Sequence, residues 1–139
     1  MLSSRHENAS NILNPEIINP GITGLPIMLI GMSDETARIV LTTTGSAGSA
    51  SRIAQVLVER RLAACVNLLP NLTSVYRWQG VVETAAETLL LIKTSAAQLP
   101  ALEAALRELH SYEVPEFLVL PIESGSRLYL EWLHGSLGS

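Results

Sequence analysis

Cys65, His110, Glu113 and Glu116 are the residues of this chain best suited by type to hold a metal ion. A thiolate with an imidazole suits copper or zinc, and carboxylates can complete the coordination shell. Their spacing is open. His110 follows Cys65 by 45 positions and begins His-x-x-Glu, with no close pair such as Cys-x-x-Cys to anchor a finger. The same residues have plainer readings, Cys65 as a small buried apolar side chain and His110 as the cap of a helix C-terminus. A Cys65–His110 nucleophilic pair, oriented by Glu113 or Asn67, is a third reading, but no motif supplies an oxyanion hole. No fingerprint of an organic cofactor is present, and the chain reads as a non-enzyme.

A second set gathers around a hairpin. Tyr76, Arg77, Trp78 and Lys93, with Tyr112, could line a cleft between subunits, and Lys93 could pair with Glu113 or bind a small anion. Tyr76 and Trp78, two apart, share one face of a strand and could equally pack across an interface. The Gly45–Ser51 loop matches neither dinucleotide-binding nor P-loop patterns, so it reads as a helix entry capped by Ser49 or Ser51.

The elements that position these residues follow from periodicity. Residues 38–44 read as a buried strand, Ser49 to Arg61 as an amphipathic helix, and 63–78 and 81–94 as long strands joined at Gln79-Gly80. Leu99, Leu102, Leu106 and Leu109 mark a helix over 96–110, residues 117–122 read as another buried strand, and Arg127 to Leu133 as a closing helix. The order is β-α-β-β-α-β plus a helix, an α+β ferredoxin-like sandwich with a long central hairpin. Residues 1–36, with four Asn, three Pro and three Gly, read as an N-terminal extension whose apolar stretch from Ile22 to Met32 could dock on the domain formed by 37–139.

Composition sets the remaining bounds. Of 139 residues, 47% are hydrophobic and only 16% charged, much apolar side chain for a single small domain to bury. Hairpin arms of this length would each reach about 50 Å, far beyond the core of a small domain. Overhanging strands are usually covered by another chain, so self-association in a closed ring is expected, through the hairpin and the segment around Trp132. A net charge of −4 without basic runs argues against nucleic acid. A single cysteine excludes an internal disulfide and suits the cytoplasm, and no stretch reads as a membrane span or signal peptide.

The segments Glu59-Arg60-Arg61-Leu62-Ala63-Ala64-Cys65-Val66-Asn67, Thr73-Ser74-Val75-Tyr76-Arg77-Trp78-Gln79-Gly80, Leu91-Ile92-Lys93-Thr94 and Glu108-Leu109-His110-Ser111-Tyr112-Glu113-Val114-Pro115-Glu116 resemble the CutA divalent-cation tolerance family. The resemblance implies a ferredoxin-like homotrimer of PII-like architecture, residence in the cytoplasm and a link to copper and other divalent metals. Its alternative is a PII-like signalling module that binds a small anionic effector between subunits. The chain departs from the family at Ser111, where Pro is common, in the 45–51 loop, where relatives tend to carry a more acidic segment, and in residues 1–36.

Overall fold

The computed structural model describes residues 36–138 and the backbone of Met32 and Ser33. The elements, in chain order, are β1 (Met32–Ser33), β2 (Ala37–Thr44), α1 (Ala47–Glu59), β3 (Cys65–Trp78), β4 (Val81–Ser95), α2 (Leu99–Leu109), β5 (Leu118–Pro121), β6 (Ser124–Gly125) and α3 (Arg127–Gly135). Four strands form one antiparallel sheet in the order β3-β4-β2-β5, while β1 and β6 make a separate two-stranded ribbon. The ribbon pairs Met32 with Gly125, so the end of the segment read as an extension is built into the fold. The apolar stretch before Met32 lies outside the described residues.

One face of the sheet carries the core. Val40 of β2 and Leu90 and Ile92 of β4 meet Ala50, Ile53 and Leu57 of α1 and Leu102, Ala105 and Leu106 of α2. These side chains recur every second residue on the strands and every third or fourth on the helices, which is why the two elements share a face. Ser46, rather than Ser49 or Ser51, caps α1. Its extended backbone lets its Oγ accept from the Ser49 N–H at 3.1 Å, and the helix begins two residues before Ser49. Pro100 falls in the first turn of α2, where its missing N–H costs nothing.

The hairpin reverses at Gln79 and Gly80, with φ of 49° and 81°, the double positive pattern of a type I′ turn. Arg77 donates from its guanidinium to the Gly80 carbonyl across the turn at 3.3 Å. Gly80→Val forces a β-branched residue into the left-handed region, and we expect a loss of about 1–2 kcal/mol. An unchanged denaturant midpoint for that variant would place the reversal elsewhere.

The long arms do not run straight. Leu69 pairs with Leu89 and Leu72 with Glu87, so Pro70 and Asn71 together oppose Thr88 alone. This is a β-bulge, with Asn71 at φ 63°, a conformation Asn accepts more readily than most residues. Pro70, lacking an N–H, is tolerated in a strand at such a place. Before the bulge, Val66 and Leu68 face the helices; after it, the residues on the opposite face are Leu72, Ser74, Tyr76 and Trp78. Beyond the bulge the hairpin overhangs the core, and Val75, Val81 and Val82 are about 60% exposed or more.

The 117–122 segment corrects an expectation. Its strand, Leu118–Pro121, is exposed along its whole length. It lies at the sheet edge, paired on one side only with residues 38–41 of β2, so the apolar run marks uncovered surface instead of core. Leu118 and Leu120 lie on the face opposite α1 and α2, in register with Leu41 and Ile39. α3 covers one end of that face through a small cluster of Ala64, Leu133 and Leu137, against which Tyr129, Trp132 and Ile122 pack. Trp132 thus packs within its own chain. Among the described residues no helix is long and apolar enough to cross a membrane.

Candidate functional site

His110 ends α2 and is buried against the end of β2. Its Nε2 meets the Thr43 carbonyl at 2.7 Å, and its Nδ1 receives the Tyr112 N–H at 3.0 Å. A carbonyl can only accept and an N–H can only donate, so these contacts select the neutral ring protonated on Nε2. Both nitrogens are occupied. The ring also packs on Tyr112, centroids 4.7 Å apart. His110 therefore fastens the chain between α2 and β5 to the sheet.

Cys65 is elsewhere. It opens β3, only 8% exposed, in register with Lys93, which is itself in register with Ile39. His110 bonds to Thr43, four residues further along β2, which is about 13 Å along the strands before any distance across the sheet is added. Within one chain the thiol and the imidazole do not meet, and a soft thiolate–imidazole copper centre does not fit there. Among the described residues no three His, Cys, Asp or Glu side chains converge on one metal position.

Lys93 is likewise remote from the hairpin tip. Its Nζ donates to the Tyr129 hydroxyl of α3 at 3.4 Å and lies 5.6 Å from that ring's centroid. The expected cleft of Tyr76, Arg77, Trp78, Lys93 and Tyr112 is thus divided. Lys93 belongs to the α3 end of the sheet, and Arg77 is turned to the Gly80 carbonyl.

What does come together is a groove of about 790 Å³ between the overhanging hairpin and the 111–116 segment. Tyr76, Trp78 and Tyr112 line it with Glu83, Glu87, Glu113 and Glu116, the last two shared with a second hollow beside Arg107, and Val75 and Val114 add apolar wall. No Lys, Arg or His lines it. Tyr112 donates its hydroxyl to Glu87 at 2.9 Å, and Tyr76 donates to Glu83 at 3.4 Å across the hairpin. Glu83 and Glu87 were missed in the sequence. Their signal was available, since four residues apart on β4 they share a face, and pairing puts Glu83 opposite Tyr76.

Partial burial, and then the Glu87 carboxylate that accepts its proton, push the Tyr112 hydroxyl up to about 12 from 10.0. Burial and Glu83 move Tyr76 the same way. Both phenols are therefore neutral donors at physiological pH. Because the folded chain holds the Tyr112 proton more tightly, this contribution to stability is intact below pH 10 and is lost as pH rises toward 12. Titration by tyrosinate absorbance should show a late ionisation that Tyr112→Phe removes and Glu87→Gln shifts downward. A titration with every tyrosine ionising near pH 10 would refute the contact.

The comparisons with known proteins agree with this architecture. The family described as CutA1 divalent ion tolerance protein matches residues 38–136. The divalent-cation tolerance protein CutA of Thermus thermophilus is 51% identical over 100 residues, covering 72% of this chain and 97% of that protein. Human protein CutA is 49% identical over 84 residues, covering 60% of this chain and 47% of its own length, so the chain spans about half of that relative. Among solved structures, the Thermus thermophilus protein superposes with a TM-score of 0.72 at 50% identity, covering 73% of this chain and 99% of that one. CutA from Synechococcus elongatus gives 0.75 at 39% identity, covering 78% and 96%. The α+β fold, with its four-stranded antiparallel sheet and three helices, is thus that of solved CutA structures, and the chain belongs to the CutA1 divalent ion tolerance protein family.

Proposed function

We propose that this protein serves divalent-cation tolerance by binding the cation reversibly, without a bond-making step, as a homotrimer of ferredoxin-like subunits in the cytoplasm. One observation carries the choice of ligand charge. Four glutamates and no Lys, Arg or His line the groove, so its field attracts cations and repels anions. The anionic-effector alternative needs Lys93 or Arg77 in the cleft, and both are engaged elsewhere. Carboxylate and phenol oxygens are hard donors, and among divalent first-row ions Cu2+ heads their affinity order. One chain offers too few convergent ligands for a closed shell, so water and a neighbouring subunit complete it in this reading.

The trimer and the ferredoxin-like description are supported by the β3-β4-β2-β5 order with α1 and α2 on one face, and by the exposed leucines on the other. The cytoplasmic reading is supported by the single thiol. Calorimetric titration with Cu2+ should give binding that falls about tenfold or more when Glu87 and Glu113 are both changed to Gln, the scale of two charge contacts near a protein surface. Cys65→Ser should leave Cu2+ affinity unchanged. A large loss in Cys65→Ser with none in the glutamine variant would move the site to a thiol shared between chains.

A further inference from the structure

The end of the sheet that carries Cys65 is closed by a unit with a small core of its own. Leu133 and Leu137 pack with Ala64, and none of the three belongs to the cluster between the sheet and α1 and α2. We propose that α3 and the residues after it form a lid that opens while the rest of the domain stays folded, and so controls access to the Cys65 thiol. The free energy of a local opening follows the apolar packing that the unit holds, and a unit with few buried side chains opens more often than the whole domain unfolds. α3 buries Leu130 and Leu133, and the turn after it adds Leu137. The main core is built from β2, β4, α1 and α2, and it keeps all its members when α3 lifts.

Val66 faces α1 and α2, so Cys65, next to it in β3, faces the opposite side, where α3 lies. Lys93 stands directly across the ladder from Cys65 and shares that face. Its Nζ donates to the Tyr129 hydroxyl at 3.4 Å, which puts α3 over this pair of positions. The lid is held at both ends. Near its start the Leu130 side chain lies over Gly125 of the β1–β6 ribbon, so Gly125 and Ser126 form the hinge. At its end the Gly138 N–H donates to the Arg61 carbonyl at 3.0 Å, and Gln98 donates from Nε2 to the Gly138 carbonyl at 2.6 Å. These two bonds tie the tail to the turns before β3 and before α2, and they act as the latch. With the lid shut Cys65 is 8% exposed, and a thiol so covered is inert. With it open, a thiol and a neighbouring ammonium face solvent, an arrangement suited to attack on disulfides and soft electrophiles. This cover comes from the chain itself and is present whether or not another copy lies on the rest of that face.

The test is the rate at which an aromatic disulfide labels the full chain, measured against urea. The Cys65 thiolate forms a mixed disulfide and displaces one aromatic thiolate, whose absorbance is read; the chain has no other cysteine. Without urea, labelling should be about a hundredfold or more slower than for a free thiol, yet about tenfold or more faster than global unfolding permits. It should depend little on urea until the global transition begins. Leu137→Ala should speed it about tenfold or more, and Gln98→Ala several-fold. Leu106→Ala, in the main core, should lower the global midpoint and leave the rate without urea unchanged, because that core stays packed when the lid opens. Ile53→Val makes the same comparison if Leu106→Ala folds poorly. Labelling that climbs with urea in step with global unfolding, or that Leu106→Ala speeds as much as Leu137→Ala does, overturns the proposal. So does labelling as fast as a free thiol. A rate that rises on dilution of the protein overturns it too, since a neighbouring copy would then be the cover.

Discussion

A chain carrying Leu118→Glu and Leu120→Glu is expected to remain folded but to scatter light as a monomer of the 15.0 kDa chain mass, where the parent runs at three times that value. The two leucines are 53% and 46% exposed on the edge strand, so a charge there costs the isolated subunit little. In an assembly that buries this face, each glutamate would be an unpaired buried charge, a penalty of about 3–5 kcal/mol per site, repeated in every subunit. Val119, on the other face of the same strand, provides the comparison, and Val119→Glu should disturb assembly less. A parent protein already monomeric at micromolar concentration would remove the trimer from the proposal.

Replacing His110 by Ala should cost about 2–4 kcal/mol. Two buried hydrogen bonds are lost, the Thr43 carbonyl and the Tyr112 N–H are left without their partner, and a ring-sized space opens beside Tyr112. Cation affinity should fall as well, because the 111–116 wall is no longer fastened to β2. The signature that separates fastening from ligation is the unfolding midpoint measured without metal. A His110→Ala chain of parental stability that had nonetheless lost its copper affinity would make His110 a ligand after all.

Much of the fold was legible because local and tertiary demands agree in it. Gln79-Gly80 between two long β-rich runs specifies a hairpin, and the leucine spacing of 99–109 specifies a helix face. The edge strand was misread for a physical reason. Four apolar residues in a row look the same whether they are covered by helices or left exposed at a sheet edge, and only the fold tells the two apart. The site was less legible still. Lys93 was grouped with the hairpin tip because they share β4, yet that strand is 15 residues long and its two ends serve different neighbourhoods. Glu83 and Glu87 stand in no motif, and only the fold brings Tyr112, 25 positions away, to donate to Glu87.

The bulge at Pro70 and Asn71 has a consequence for how this gene can change. It acts as a phase shift, since a residue counted into β3 there decides which side of the sheet every later residue of that arm addresses. Removing Asn71 would restore uninterrupted alternation and leave Leu72 opposite Glu87 and Tyr76 opposite Glu83, so the distal arm would keep its faces. A one-residue deletion between Leu72 and Tyr76 that left the bulge in place would instead turn Tyr76 and Trp78 to the other side of the sheet, and the groove would lose its aromatic wall without one site residue having been substituted. Single deletions in this arm should therefore survive selection where closing the bulge absorbs them.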